Sequence, residues 1–290
     1  CREYYDLMDS RNAYVNKLID ELRMVFPQYL GIFSKVTIDT SLILLETYTS
    51  PSAFINADKQ EIIDLIRSTA RFGLTYACNK YNAIIQAAND ADEFGYILDS
   101  NIKRIRLYIG FIRKYDEEIN SILESMHELA AANEDTDFVK QIRLIETFKG
   151  AGFLSAMSLM GEIGDFSAFS KPKQLFAYFG LDPAVKQSGK FEGTKIQMSK
   201  RGSAIARRVI HTLTLQSISA SRTGESKNPV LLDYYLKKCE SKPKLVAMGA
   251  VSHKVCNMIF AILRDSKPFE IITPQEHIKK YNAAKCDVAA

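Results

Sequence analysis

The residues with the most chemical potential lie between Ile145 and Leu213. Ser188 is followed by Gly189 and flanked by Lys186 and Lys190. A serine hydroxyl served by a base, or by a metal at the phosphate, attacks a phosphodiester and holds the cut strand as a phosphoserine ester, so the bond energy is kept for rejoining. Gly189 would let the backbone come close to such a substrate, and the lysines would stabilise charge on its phosphoryl oxygens. Taken alone, a Ser-Gly pair reads as an ordinary turn.

Two further groups belong to the same stretch. Gly150 and Gly152, one residue apart at a helix start, would let backbone N–H groups point outward together, which is how a helix-hairpin-helix element grips a DNA phosphate. The plain alternative is a helix C-cap and turn without function. Downstream, Ser199-Lys200-Arg201-Gly202-Ser203 leads into a helix that carries Arg207 and Arg208. The four cations read as phosphate binders for DNA or RNA, or else as a solvated helix face. Ser203 after Gly202 suits an N-cap, and Ser199 a backbone or phosphate contact. The candidate nucleic-acid set is therefore Gly150, Gly152, Lys186, Gly189, Lys190, Ser199, Lys200, Arg201, Gly202, Ser203, Arg207 and Arg208.

In this order, the glycine pair, the Phe179-Gly180-Leu181-Asp182-Pro183 step, the Gln187-Ser188-Gly189 turn and the Ser199–Ser203 helix entry resemble the C-terminal domain of the insertion-sequence-110 family of transposases. These are serine recombinases guided by a bridge RNA and related to the Piv-type DNA invertases. The resemblance covers the second half of the chain well and the helical first half more loosely. It implies that Ser188 is the nucleophile, that DNA and a guide RNA are the partners, and that the helical first half is a coiled-coil dimerisation region. Members of the family also carry a RuvC-like nuclease domain whose four acidic residues bind magnesium. Glu61, Asp64 and Asp92 sit in helical or loop contexts here, without the strand-borne layout of that domain, so no metal ligand is assigned and no cofactor is expected in this chain. Magnesium is expected in the RuvC-like domain, and Cys1 as first residue suggests that the chain starts inside a longer reading frame.

The elements that must position these residues are helices. With 290 residues the chain is long enough for about two domains, and its net charge of +4 argues only weakly for an acidic partner. The clustering of cations between Lys186 and Arg222 argues more. Cysteines at 1, 78, 239, 256 and 286 form neither a disulfide framework nor a zinc motif, which points to reduced thiols in the cytoplasm. The apolar runs are short for a bilayer span, and no membrane association is expected.

Residues 1 to 26 carry a helical apolar stripe that Pro27 stops. From Leu98 to Ala130 apolar residues recur in steps of four and three with Asp116 as the polar intruder, a heptad seam that needs a partner. Residues 1 to 26 within the same chain and a second copy both suit that role, so a dimer or tetramer through the seam is open. Ser170 and Pro172 open another helix, and Lys186 to Gln197, lacking helical period, has room for a short hairpin.

The expected fold is mostly α: a helical coiled-coil region over 1–132, a compact helical transposase domain with a helix-hairpin-helix-like element over 133–273, and a frayed tail over 274–290. The expected function is that of a DNA transposase or site-specific recombinase. A non-catalytic helix-hairpin-helix adaptor for DNA or junctions is the alternative, and a purely structural scaffold is the third.

Overall fold

The computed structural model describes residues 1–70, 72–94, 98–184, 187–188, 191–192 and 197–279. The fold is mostly α, and the chain divides into two compact units, Glu3–Ser125 and Met126–Ala290, the latter joined by Cys1–Arg2. The division falls inside a long helix, upstream of the polar stretch 130–137 where the sequence suggested it.

The unit Glu3–Ser125 is built from α1 (Arg2–Val25), a 3-10 turn (Pro27–Gly31), α2 (Asp39–Thr47), α3 (Pro51–Ile55), α4 (Lys59–Ala70), α5 (Leu74–Phe94) and most of α6 (Asp99–Ala132). Proline at the first position of the 3-10 turn and of α3 suits a helix start, where its missing N–H costs nothing, and the Ser50 hydroxyl accepts from Ala53 N at 3.2 Å. Leu18, Leu22, Phe26, Phe54, Ile62, Ile66, Ile105 and Ile109 form one buried core.

The seam of α6 finds a partner within the chain. Tyr14 on α1 lies 4.6 Å from Phe111 and 5.8 Å from Tyr115, ring centre to ring centre. The polar intruder Asp116 accepts both N–H groups of Arg11, at 2.5 and 2.9 Å. Buried Glu21 on α1 likewise takes Arg104 twice at 3.0 Å and Asn101 at 2.6 Å. A heptad stripe specifies that a helix pairs, not with which copy; the fold gives α6 an intramolecular neighbour, while Leu98 at the start of the seam stays 51% exposed.

The second unit continues from the end of α6 through α7 (Asp137–Glu146), α8 (Phe153–Ile163), a 3-10 turn (Phe166–Ala168), α9 (Pro172–Tyr178), strands β1 (Gln187–Ser188) and β2 (Phe191–Glu192), α10 (Ala204–Ile218), α11 (Pro229–Cys239) and α12 (Lys244–Asp265). α12 packs against α7, α9, α10 and α11. It is long and apolar enough, by length and composition, to cross a membrane, which the short-run reading of the sequence overlooked. Its Val251, Val255, Ile259 and Leu263 are buried among the neighbouring helices, as in a core helix. Ser170 is not the cap of α9: Lys171 holds that position, and Gln174 reaches back to accept from the backbone N–H of Ser170 and Lys171 at 2.8 and 3.0 Å.

Candidate nucleic-acid interface

The turn between α7 and α8 requires one of its two glycines. Gly150 has φ +103°, and a Cβ there would lie 3.0 Å from the Gln216 Oε1 and 3.2 Å from its Cβ, so conformation and space both favour glycine. The same Oε1 accepts from Lys227 Nζ at 2.5 Å. Gly152 caps α8 in extended backbone with open space around it, and supplies no side chain to the first N–H groups of the helix. Phe153, the first residue of α8, is stacked on His127 at 3.9 Å with Arg143 5.9 Å from its ring centre, which fixes the helix entry.

A second feature lies at the end of α9. Gly180 has φ +66°, and a Cβ on it would come within 2.5 Å of Gly202 N and 2.7 Å of Arg201 N. A Cβ on Gly202 would lie 1.9 Å from the Tyr178 carbonyl oxygen. Two backbone segments therefore cross in direct contact, at a separation that only glycines on both sides allow. Arg207 ties the crossing together, donating from Nη1 to the carbonyls of Phe179 at 3.0 Å and Gly202 at 2.6 Å.

From this crossing a two-stranded arm extends. Lys200 N donates to Gly180 O at 3.0 Å, Ser199 N to Asp182 O at 2.8 Å and Ala184 N to Gln197 O at 2.7 Å, and Pro183 pairs with Met198. Further out, Gln187 pairs with Glu192 and Ser188 with Phe191, antiparallel, in the stretch where the sequence left room for a hairpin.

The sequence candidates fall as follows. Lys186, Gly189 and Lys190 lie outside the described residues, and Ser188 is described in its backbone alone, as the outer ladder pair. Lys200, Arg201 and Arg208 are exposed, whereas Arg207 is partly withdrawn and spends one nitrogen on the two carbonyls, so it serves the crossing as well as the charge of the helix. Lys200 sits at φ +55°, a conformation that costs a non-glycine residue about 1–2 kcal/mol. Ser203 caps α10, its hydroxyl accepting from Ala206 N at 3.0 Å.

A carboxylate that the sequence did not single out as a site residue holds this loop. Ser199 Oγ donates to Asp182 Oδ1 at 2.5 Å. Glu162 of α8 takes Arg2 Nε at 2.9 Å and Nη2 at 3.1 Å. The bonds from Arg2, and to a lesser degree the Ser203 hydroxyl, hold the Glu162 carboxyl below its usual range against the opposing effect of burial. The spacing Gly180-Leu-Asp182-Pro183 was visible, but that Asp182 would meet Ser199 depends on the crossing.

Among the described residues no group of three or more His, Cys, Asp or Glu side chains could hold a metal ion. Cys1, Cys78, Cys239 and Cys256 are free thiols, and burial pushes the Cys256 thiol up to about 12.

Residues 142–235, which contain the Gly150 turn, the Gly180–Gly202 crossing and the basic loop, match the family described as "Transposase IS116/IS110/IS902 family". The chain is similar to the transposase for insertion sequence element IS1111A of Coxiella burnetii, at 33% identity over 115 residues, 39% of this chain and 29% of that protein. It is also similar to an insertion element IS110 uncharacterized 43.6 kDa protein of Streptomyces coelicolor, at 23% identity over 239 residues, 80% of this chain and 53% of that protein. The chain thus spans about half or less of the length of these curated relatives. The glycine turn, the backbone crossing and the basic loop together lie in the segment that matches this transposase family.

Proposed function

We propose that this chain is part of a DNA transposase that cuts and rejoins DNA through a phosphoserine at Ser188, with target choice made by base pairing to a structured RNA. The observation that carries the reading is the family match over 142–235, which spans the Gly150 turn, Ser188 and the loop of Lys200 and Arg201. The position of Ser188 in the short antiparallel pair of β1 and β2 is compatible with access to a large substrate.

In this mechanism the Ser188 oxygen bonds to the scissile phosphorus, its proton passes to a base, and the deoxyribose oxygen leaves with a proton. Attack by a strand-end hydroxyl reverses the step and frees the serine. Lys200, Arg201 and Arg208 offset phosphate charge, and the α8 entry at Gly152 offers backbone N–H groups to a second phosphate. Magnesium, which the resemblance assigns to a RuvC-like domain, would polarise the phosphate; no residue of this chain is assigned to it. The reading places the protein in the cytoplasm with DNA and guide RNA. It allows a dimer or tetramer through faces of α6 that α1 leaves open, such as Leu107, 52% exposed.

The test is Ser188→Ala in the full-length transposase, with a nicked DNA substrate that traps the covalent species. Binding is expected to survive and the adduct to vanish, and mass spectrometry of the wild-type adduct should map it to Ser188. An adduct on another residue, or unchanged recombination by the variant, would refute the nucleophile. Tight binding with no adduct in either protein would favour the alternative, a non-catalytic helix-hairpin-helix adaptor built on the Gly150 turn.

A further inference from the structure

The loop Ser199–Ser203 presents two exposed cations, yet its first residue is fastened by an acid. Ser199 donates to Asp182 at 2.5 Å, while at the other end Ser203 caps α10, accepting from Ala206 N at 3.0 Å. Between these ends, Lys200 is held at φ +55° by its backbone bond to Gly180 O, and Gly202 is wedged against Tyr178 O. A carboxylate this close to a phosphate-binding loop is electrostatically wrong, since it repels the polyanion. Its presence calls for a compensating role, and the hydrogen bond names it.

We infer that Asp182 is a positioning residue that acts through Ser199 to aim Lys200 and Arg201 at a nucleic-acid phosphate. The inference rests on the phosphate-binding reading of that loop. The loop is stiffened before the polyanion arrives, so its cations lose less freedom on binding than they would on a free loop. The structural gain outweighs the repulsion because an aimed cation contacts phosphate directly, whereas the half-exposed Asp182 carboxylate is screened by water and salt.

The two effects have opposite signs, which makes the experiment decisive. Anisotropy of a fluorescein-labelled DNA duplex, titrated with the full-length protein over a series of salt concentrations, gives affinity and salt slope. Asp182→Ala removes a negative charge, so pure electrostatics makes binding tighter. Positioning makes it weaker, roughly tenfold at low salt, with a shallower slope. Asp182→Asn keeps a hydrogen-bond acceptor and should bind as the wild type or more tightly. An alanine variant that binds as well as wild type, or an amide variant that loses as much as alanine, would overturn the inference.

Ser199→Ala, which leaves the carboxylate in place, decides the point where Asp182→Ala fails to fold. Where both fold, the double variant should be no weaker than either single one, because the two side chains act as one unit. Additive losses would mean that Ser199 touches the nucleic acid itself, and would overturn its part. Replacing Lys200 and Arg201 together by alanine should lower the salt slope by about two. If it does not, the phosphate-binding reading fails; if it does while the carboxylate variants are silent, only the positioning role fails.

Discussion

Around Phe54, in the unit Glu3–Ser125, the chain turns its corners with rings: Phe26, Tyr29 and Tyr48 lie 5.8, 6.0 and 5.3 Å from it, and Tyr29 donates to the Ser41 carbonyl at 3.1 Å. Around Gly180, in the unit that holds most of the second half, the corner is backbone against backbone, with no side chain between. Rings fill space by area and tolerate modest repacking, at a cost graded by the volume lost. A contact between two main chains has no such gradation, because the listener to any added atom is a peptide group that cannot swing aside. The first kind of corner serves stability. The second fixes where a loop leaves the fold, which is what a binding loop needs.

Three substitutions bear on that contrast. The largest effect is expected for Gly202→Ala, whose methyl would sit 1.9 Å from the Tyr178 oxygen. A loss on the order of 4 kcal/mol is expected. By hydrogen exchange the amides of α9 and α10 should lose protection while those of α2 to α5 keep theirs. Tolerance of alanine there would dissolve the distinction between the two kinds of corner.

A smaller effect of opposite sign is expected for Gly110→Ala. Gly110 lies in the interior of α6 with nothing within 4 Å of a built Cβ, so alanine should stabilise the first unit by about 0.5–1 kcal/mol in urea denaturation. Destabilisation would show that this glycine has a packing role.

The smallest is a matter of pH. The Glu162 carboxyl is held below its ordinary value of 4.5 by Arg2 first and then Ser203, with burial opposing, so the stability it contributes is present above that value and lost as pH falls through the lowered one. Glu162→Gln removes that titration. Its acid unfolding curve should be flatter below about pH 4.5 than that of the wild type, measured by circular dichroism. Parallel acid limbs would mean that the Arg2–Glu162 pair contributes nothing.

Much of the helical order was readable. Pro27 ends α1 and Ser203 caps α10, because caps and breaks are local chemistry. The partner of the α6 stripe was not readable, since an apolar seam has no label for cis or trans. In the candidate site, the residue types that bear charge or a hydroxyl were legible as a group. The withdrawal of Arg207 to two carbonyls was not, and neither was the meeting of Asp182 with Ser199, which are 17 positions apart in sequence.

What the sequence by itself determined is therefore periodic and local: which segments are helices, where most of them start, and that serine, glycine and cations gather between Gly150 and Arg208. What only the tertiary structure decided is which of those groups face solvent and which are consumed in holding others. Helix formation depends on neighbours three and four residues away, but the crossing of Gly180 over Gly202 joins segments whose closeness no local pattern encodes. That crossing lays the backbone of Lys200 and Arg201 against Gly180 and accompanies the meeting of Asp182 with Ser199.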